Sequence, residues 1–110
     1  MADIKFYNED NFFEIEKCSE LSIVRFFAKW CPPCVASEGA FNAITEDFKG
    51  IHFGQVNVDL SPVLTMKYTI FGLPSVLIFK QGQVIGRLAG PKGYQEYRQA
   101  IQDAFTFDMD

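Results

Sequence analysis

Apolar and polar positions change period several times along the chain, and each change marks an element. Leu21 to Ala28 reads Leu-Ser-Ile-Val-Arg-Phe-Phe-Ala, a β-prone apolar run of the kind that makes a buried strand. From Val35 to Phe48, a stretch without proline, Val35, Ala36, Ala40, Phe41, Ile44 and Phe48 recur at helical intervals. Ile4 to Tyr7 predicts a short strand, and Glu9 to Lys17 a helix with Phe12, Phe13 and Ile15 among its apolar residues. Ile51 to Val58 alternates toward a third strand, although Gly54 and Gln55 interrupt the pattern. Ser61-Pro62 has the form of an N-cap and first helical position, opening a short helix through Tyr68. Ser75 to Phe79 is another apolar strand, and a turn at Gln81-Gly82 makes Gln83 to Leu88 the return strand of a hairpin. After the break at Gly90-Pro91-Lys92-Gly93, the residues Tyr94, Tyr97, Ile101, Ala104 and Phe105 mark one face of a final helix, Tyr94 to Phe105. The order βαβαβαββα predicts an α/β fold, a central mixed sheet with helices on both faces.

Composition narrows the remaining choices. At 110 residues and 48% hydrophobic, the chain has room for one domain, residues 1–110, around a single core. Twelve phenylalanines supply much of that core, and three cysteines do not make a disulfide framework. The start, Met1-Ala2-Asp3-Ile4-Lys5, lacks the basic region and long apolar run of a signal peptide, and no stretch reaches the ~18–20 apolar residues of a membrane span. A cytoplasmic location follows as the expectation, with no membrane partner. The net charge of −4 argues against nucleic acid, whose phosphates need a basic surface. Asp108-Met109-Asp110 reads as a solvated tail.

The candidate chemistry lies in Trp30-Cys31-Pro32-Pro33-Cys34, at the junction between the apolar strand and the long helix. A Cys-x-x-Cys serves either as a redox dithiol or as half of a zinc site. The junction favours redox work. The first helical turn offers unpartnered N–H groups and the positive end of the macrodipole, which lower a thiolate's pKa below the roughly 8.5 of a free cysteine. Cys31, nearer the solvent, is the expected nucleophile, and Cys34, one turn further in, the expected resolving thiol. Two prolines stiffen the loop but remove donors that would have served the Cys31 thiolate. Zinc sites normally need four ligands, and this chain offers no second cysteine pair. A metal or iron–sulfur module, its cluster shared between two chains, is the remote alternative, and neither metal nor cofactor is expected. Cys18 reads as an ordinary thiol at the end of the first helix rather than a regulatory or dimerising one. His52, the only histidine, stands in a strand far from the motif and is assigned no catalytic or metal role.

Three local stretches together resemble the thioredoxin family over nearly the whole chain: Val24 through Cys34, the segment Tyr68-Thr69-Ile70-Phe71-Gly72-Leu73-Pro74-Ser75, and Gly82 through Gly90. The resemblance implies the thioredoxin fold and dithiol–disulfide exchange, so that the protein reduces the disulfides of protein substrates. A flavin-containing thioredoxin reductase is the implied electron donor, and the chain is expected to act as a monomer. A dedicated or more oxidising thioredoxin-like partner is the alternative within this chemistry. The resemblance also implies a cis Leu73-Pro74 bond against the cysteines, with the Leu73 backbone pairing to substrate. Trp30, Pro32, Gly72, Leu73, Pro74 and Gly90 are the implied substrate-binding residues.

Four positions depart from the family pattern. Pro32 stands where glycine is usual, which concerns redox poise rather than fold. Arg25 stands where the family has a buried aspartate beneath the resolving cysteine, and Gln55 where a lysine commonly partners it. The family's proton relay therefore does not carry over. Glu38, four residues after Cys34, is the candidate replacement: a charge pair with Arg25 under the site, with Glu38 or its water taking the Cys34 proton. The competing expectation is that Arg25 snorkels to the sheet edge and Glu38 is solvated. Gly39 replaces a proline that often kinks the helix, and serves either a bend or close packing.

Overall fold

The computed structural model describes residues 4–109, in the order β1 (Lys5–Tyr7), α1 (Phe13–Glu16), β2 (Leu21–Phe27), α2 (Pro32–Asp47), β3 (His52–Asn57), α3 (Pro62–Lys67), β4 (Ser75–Lys80), β5 (Gln83–Ala89) and α4 (Tyr94–Phe105). The five strands form one sheet, ordered β1-β3-β2-β4-β5. β1 and β2 both run parallel to β3, whereas β4 runs antiparallel to β2 and to β5. β2 therefore lies at the centre, and its C-terminal end delivers the chain to the cysteine motif. The mixed α/β sheet expected from the sequence is the sheet observed. No helix among the described residues is long and apolar enough to cross a membrane.

Period-two alternation divides the strand residues between two apolar layers. Val24, Phe26, Val56, Leu77 and Phe79 face one side, where Phe12, Ile15 and Leu64 from the α1 and α3 region cover them. Leu21, Ile23, Phe53, Val76 and Ile78 face the other, beneath Phe41 and Ile44 of α2 and Tyr97 and Ile101 of α4. The same alternation puts Arg25 on the α2/α4 side, between Ile23 and Phe27.

Two details differ from the sequence expectation or explain it. The first helix is one short turn, Phe13–Glu16, instead of Glu9 to Lys17. Asparagine side chains take the backbone ahead of it: Asn11 Oδ1 accepts from the Asn8 N–H at 2.7 Å, and Asn8 Oδ1 from the Asp10 N–H at 2.9 Å. Such local bonds compete with helix. The hairpin turn has positive φ at both Gln81 (53°) and Gly82 (76°), as a two-residue turn of matching twist requires. A Cβ at Gly82 would lie 2.1 Å from the Glu16 carbonyl oxygen, so this glycine also lets the hairpin close against α1.

Candidate active site

α2 begins where β2 has ended, and Cys31 is its N-cap, with extended backbone (φ −94°, ψ 106°). Pro32 and Pro33 fill the first two helical positions, which removes two of the N–H groups a helix normally leaves free. The next donor, Cys34 N–H, points at Cys31 Sγ from 3.2 Å. One backbone donor thus survives for the Cys31 sulfur. The two cysteines are joined as a disulfide, with Cα atoms 5.2 Å apart. Both residues are buried, at 3% and 2% exposure, so the expected contrast in solvent access does not exist at residue level in this oxidised state. Their surroundings separate them instead. Cys31 lines a groove of about 370 Å³, and Cys34 lies behind it without reaching the groove wall.

The groove runs between Trp30, Cys31, Pro32 and Pro33 on one side and Phe71, Gly72 and Leu73 on the other, with Val58, Thr65 and Ile70 completing it. Trp30 and Phe71 are 68% and 94% exposed, so large apolar surfaces flank the buried sulfur. Asp59 fixes Trp30, accepting its indole N–H at 2.7 Å. The Leu73–Pro74 peptide is cis. Pro74 is buried and does not line the groove, while its carbonyl accepts the Gly90 N–H at 2.9 Å. Gly90, with φ of 84°, thus joins the end of β5 to the Pro74 segment without facing the groove. Of the substrate-binding residues suggested by sequence, Trp30, Pro32, Gly72 and Leu73 converge on one surface, with Pro74 and Gly90 supporting it from behind. Val58, Thr65, Ile70 and Phe71 belong to the same surface and escaped sequence reasoning. The apolar pair Ile70-Phe71 directly before Gly72 was the available signal.

Arg25 lies under this site and is 1% exposed. It pairs across the sheet with Gln55 on β3 and Val76 on β4. Nη1 donates to Gln55 Oε1 at 3.0 Å, and Nη2 to the carbonyl oxygen of Cys34 at 2.5 Å, an oxygen that also accepts from Ser37 Oγ at 3.3 Å. Nε is buried without a hydrogen-bond partner. The guanidinium stands over the rings of Phe27 and Phe41, 5.3 and 5.9 Å from their centroids. Burial pushes the Arg25 pKa down, and the field of Glu38 opposes that shift. An arginine remains charged across the physiological range regardless.

The ion pair expected between Arg25 and Glu38 does not form. Glu38 is exposed and takes part in no ion pair with Arg25. Cys34, Ser37, Phe41, Ile44 and Thr45 make the buried stripe of α2, and Glu38 stands at its rim, where a carboxylate keeps its water. Nor does Arg25 snorkel to an edge, because β2 is central. Its partner is Gln55, which stands where the family's lysine commonly partners the buried aspartate, so the two departures from the family pattern pair with each other. Gly39 is exposed, α2 runs unbroken through it, and a Cβ there would meet nothing within 4 Å, so close packing does not account for the glycine.

Far from the groove, a third thiol has unexpected company. Cys18, Glu20 and His52 each bring a ligand atom within 4.8 Å of the others, an arrangement that sequence separation concealed.

A family model described as Thioredoxin matches residues 3–103. Thioredoxin H2 of Arabidopsis thaliana is 32% identical over 82 residues, 74% of this chain and 62% of the relative, so the chain spans less than two thirds of that protein's length. Thioredoxin 1 of Chlorobaculum tepidum is 32% identical over 93 residues, 83% of this chain and 92% of the relative. Among solved structures, a thioredoxin from Trypanosoma brucei brucei superposes with a TM-score of 0.88 at 24% identity, covering 96% of this chain and 94% of that one. The Malassezia sympodialis thioredoxin Mala s 13 gives 0.84 at 23% identity, covering 94% and 91%. The two solved structures bear on the fold alone.

Proposed function

The chain belongs to the thioredoxin family, whose members are thiol–disulfide oxidoreductases, and from that premise we propose that it reduces protein disulfides through Cys31 and Cys34. In the reduced protein, the Cys31 thiolate attacks one sulfur of a substrate disulfide. A mixed disulfide forms, and the other substrate sulfur leaves as thiolate and takes up a proton. Cys34, as thiolate, then attacks Cys31 Sγ, the mixed disulfide breaks, and the second substrate thiol departs. Two electrons have passed to the substrate, and the protein holds the Cys31–Cys34 disulfide. A thioredoxin reductase returns the electrons, and no bound cofactor takes part. The substrates are extended segments of proteins laid against Trp30, Pro32, Gly72 and Leu73, with Pro74 and Gly90 shaping the surface. Residues 1–110 act as one domain, as a monomer in the cytoplasm.

One observation carries this reading: Cys31 opens on the apolar groove while Cys34 lies directly behind it. This arrangement supports attack by Cys31 and resolution by Cys34. The reduced Cys34→Ser variant, mixed with a disulfide-bonded protein, is expected to accumulate a covalent complex through Cys31 that thiol reductant releases. The Cys31→Ser variant is expected to trap nothing. Equal trapping by both variants, or by neither, defeats the assignment.

A specific observation favours a more oxidising variant of the same chemistry. Arg25 is a buried cation hydrogen-bonded to the Cys34 backbone, and positive charge there stabilises thiolate and hence the reduced state. Proline at the first two helical positions acts the other way on Cys31 by removing N–H donors.

A further inference from the structure

The dithiol lies beyond the C-terminal end of β2, and a different cluster occupies the opposite end. β2 is seven residues long, roughly 20 Å from end to end. The chain leaving α1 passes Cys18 and Glu20 before entering β2 at Leu21. His52 opens β3 and stands beside Ser22 in the parallel register. Two segments distant in sequence therefore meet at one end of the sheet.

The donor set is chemically pointed. Cys18 Sγ, a Glu20 carboxylate oxygen and a His52 ring nitrogen all lie within 4.8 Å of one another, and His52 Nε2 is 3.5 Å from Glu20 Oε1. Cys18 is the free cysteine of the chain and is half-buried, while Glu20 and His52 are exposed. Its backbone is held by the Cys18 N–H to Ile15 carbonyl bond of 3.2 Å, and that of His52 by the sheet. Thiolate, imidazole and carboxylate are the three donor types of zinc sites, with bonds of about 2.0–2.3 Å and tetrahedral geometry. Tetrahedral bonds of that length place ligand atoms about 3.5 Å apart. Closing from 4.8 Å needs a displacement of about 1 Å, within reach of rotations of the exposed Glu20 and His52 side chains. Sulfur and nitrogen donors select zinc over the oxygen-seeking magnesium and calcium.

We propose that Cys18, Glu20 and His52 form a Zn²⁺ site with water in the fourth position, separate from the dithiol. Binding deprotonates the Cys18 thiol and ties the end of α1 to the start of β3.

The test uses the full chain in its disulfide form. The sequence contains three cysteines, so with Cys31 and Cys34 oxidised Cys18 is the sole thiol and the dithiol cannot compete for metal. Titration with Co²⁺ is expected to give one equivalent bound, a thiolate-to-cobalt charge-transfer band and the intense visible bands of four-coordinate cobalt, all removed by added Zn²⁺. Cys18→Ser is expected to abolish the charge-transfer band. His52→Ala and Glu20→Gln should each weaken Co²⁺ binding by at least the ~10–100-fold that loss of an outer-shell partner costs. Both residues are exposed, and circular dichroism of each variant checks that it folds. Absence of the charge-transfer band overturns the site, and so does a band of undiminished affinity in folded His52→Ala and Glu20→Gln, which would reduce the cluster to a lone thiol.

Discussion

The two faces of the sheet are both buried, yet they differ in what they bury. On the α1/α3 face the fully covered strand residues are apolar apart from Ser22, and rings dominate: Phe12 lies 6.4 Å from Phe26, 5.4 Å from Tyr68 and 5.7 Å from Phe79. On the α2/α4 face the same packing admits a charge, Arg25, with its donors directed to Gln55 and the Cys34 carbonyl. One face brings no charge to the site, only apolar surface such as Val58 and Ile70 at the groove. The other spends burial on a cation that touches the first turn of the active-site helix. The contrast teaches that alternation along a single strand, β2, is enough to keep a tuning charge out of one layer and place it in the other.

The largest expected effect separates the faces by stability. Phe26 is 0% exposed, and Phe26→Ala removes a ring from the aromatic layer, for which about 3–5 kcal/mol is typical. Urea unfolding of the disulfide form should show the midpoint falling by a corresponding amount. The reduction potential of the Cys31–Cys34 couple should stay where it was. A potential that moves with this substitution would show that the aromatic layer reaches the dithiol and would break the comparison.

Arg25→Met probes the other face and should give the reverse pattern. Losing its donors leaves Gln55 Oε1 short of a partner, at a cost of about 1–3 kcal/mol, while removing a buried charge returns energy of similar size. Net stability is expected to change by less than about 2 kcal/mol. The redox couple responds more clearly. Without the cation the thiolate forms are less stable, the reduced state is disfavoured, and the potential becomes more negative. A contribution equivalent to about one pKa unit, 1.4 kcal/mol, corresponds to about 30 mV. Equilibration with glutathione at neutral pH measures it. A potential unchanged or shifted positive would show that Arg25 is there for packing and for anchoring the Cys34 carbonyl.

The same two residues show where sequence was legible and where it was not. Strands, their order and the cysteine junction were readable because each rests on local periodicity and on turn chemistry. In the apolar pattern Gly54 and Gln55 are only defects in β3, and although Gln55 also stands out as a departure beside Arg25, the reasons for both lie on neighbouring strands. A Cβ at Gly54 would sit 2.5 Å from a carbon of the Tyr7 ring, and Gln55 is the hydrogen-bond partner of Arg25. Arg25 is out of place in an apolar run, but helical spacing points along α2 to Glu38 for its partner instead of across the sheet to Gln55. The first helix was overextended because the turn bonds of Asn8 and Asn11 depend on side-chain rotamers, which no apolar pattern records. The cluster of Cys18, Glu20 and His52 needs the parallel register of β2 and β3, a long-range property of the fold.

The smallest expected effect sharpens the comparison by testing the rim of the second face. Glu38 reaches Arg25 only through its field, from an exposed position on α2. Exposed charge interactions are worth roughly 0.2–1 kcal/mol, less than one pKa unit. Glu38→Gln is therefore expected to shift the pH profile of disulfide reduction by no more than about half a unit, an effect that salt suppresses. The residual shift has a definite sign. Removing a negative charge near the dithiol stabilises thiolate, so the ascending limb should move to lower pH. A shift of a full unit toward higher pH would mean that the Glu38 carboxylate takes the Cys34 proton during turnover. Proton handling would then run along the solvent edge of α2, and Arg25 would be the anchor of the helix turn rather than the group that tunes the dithiol.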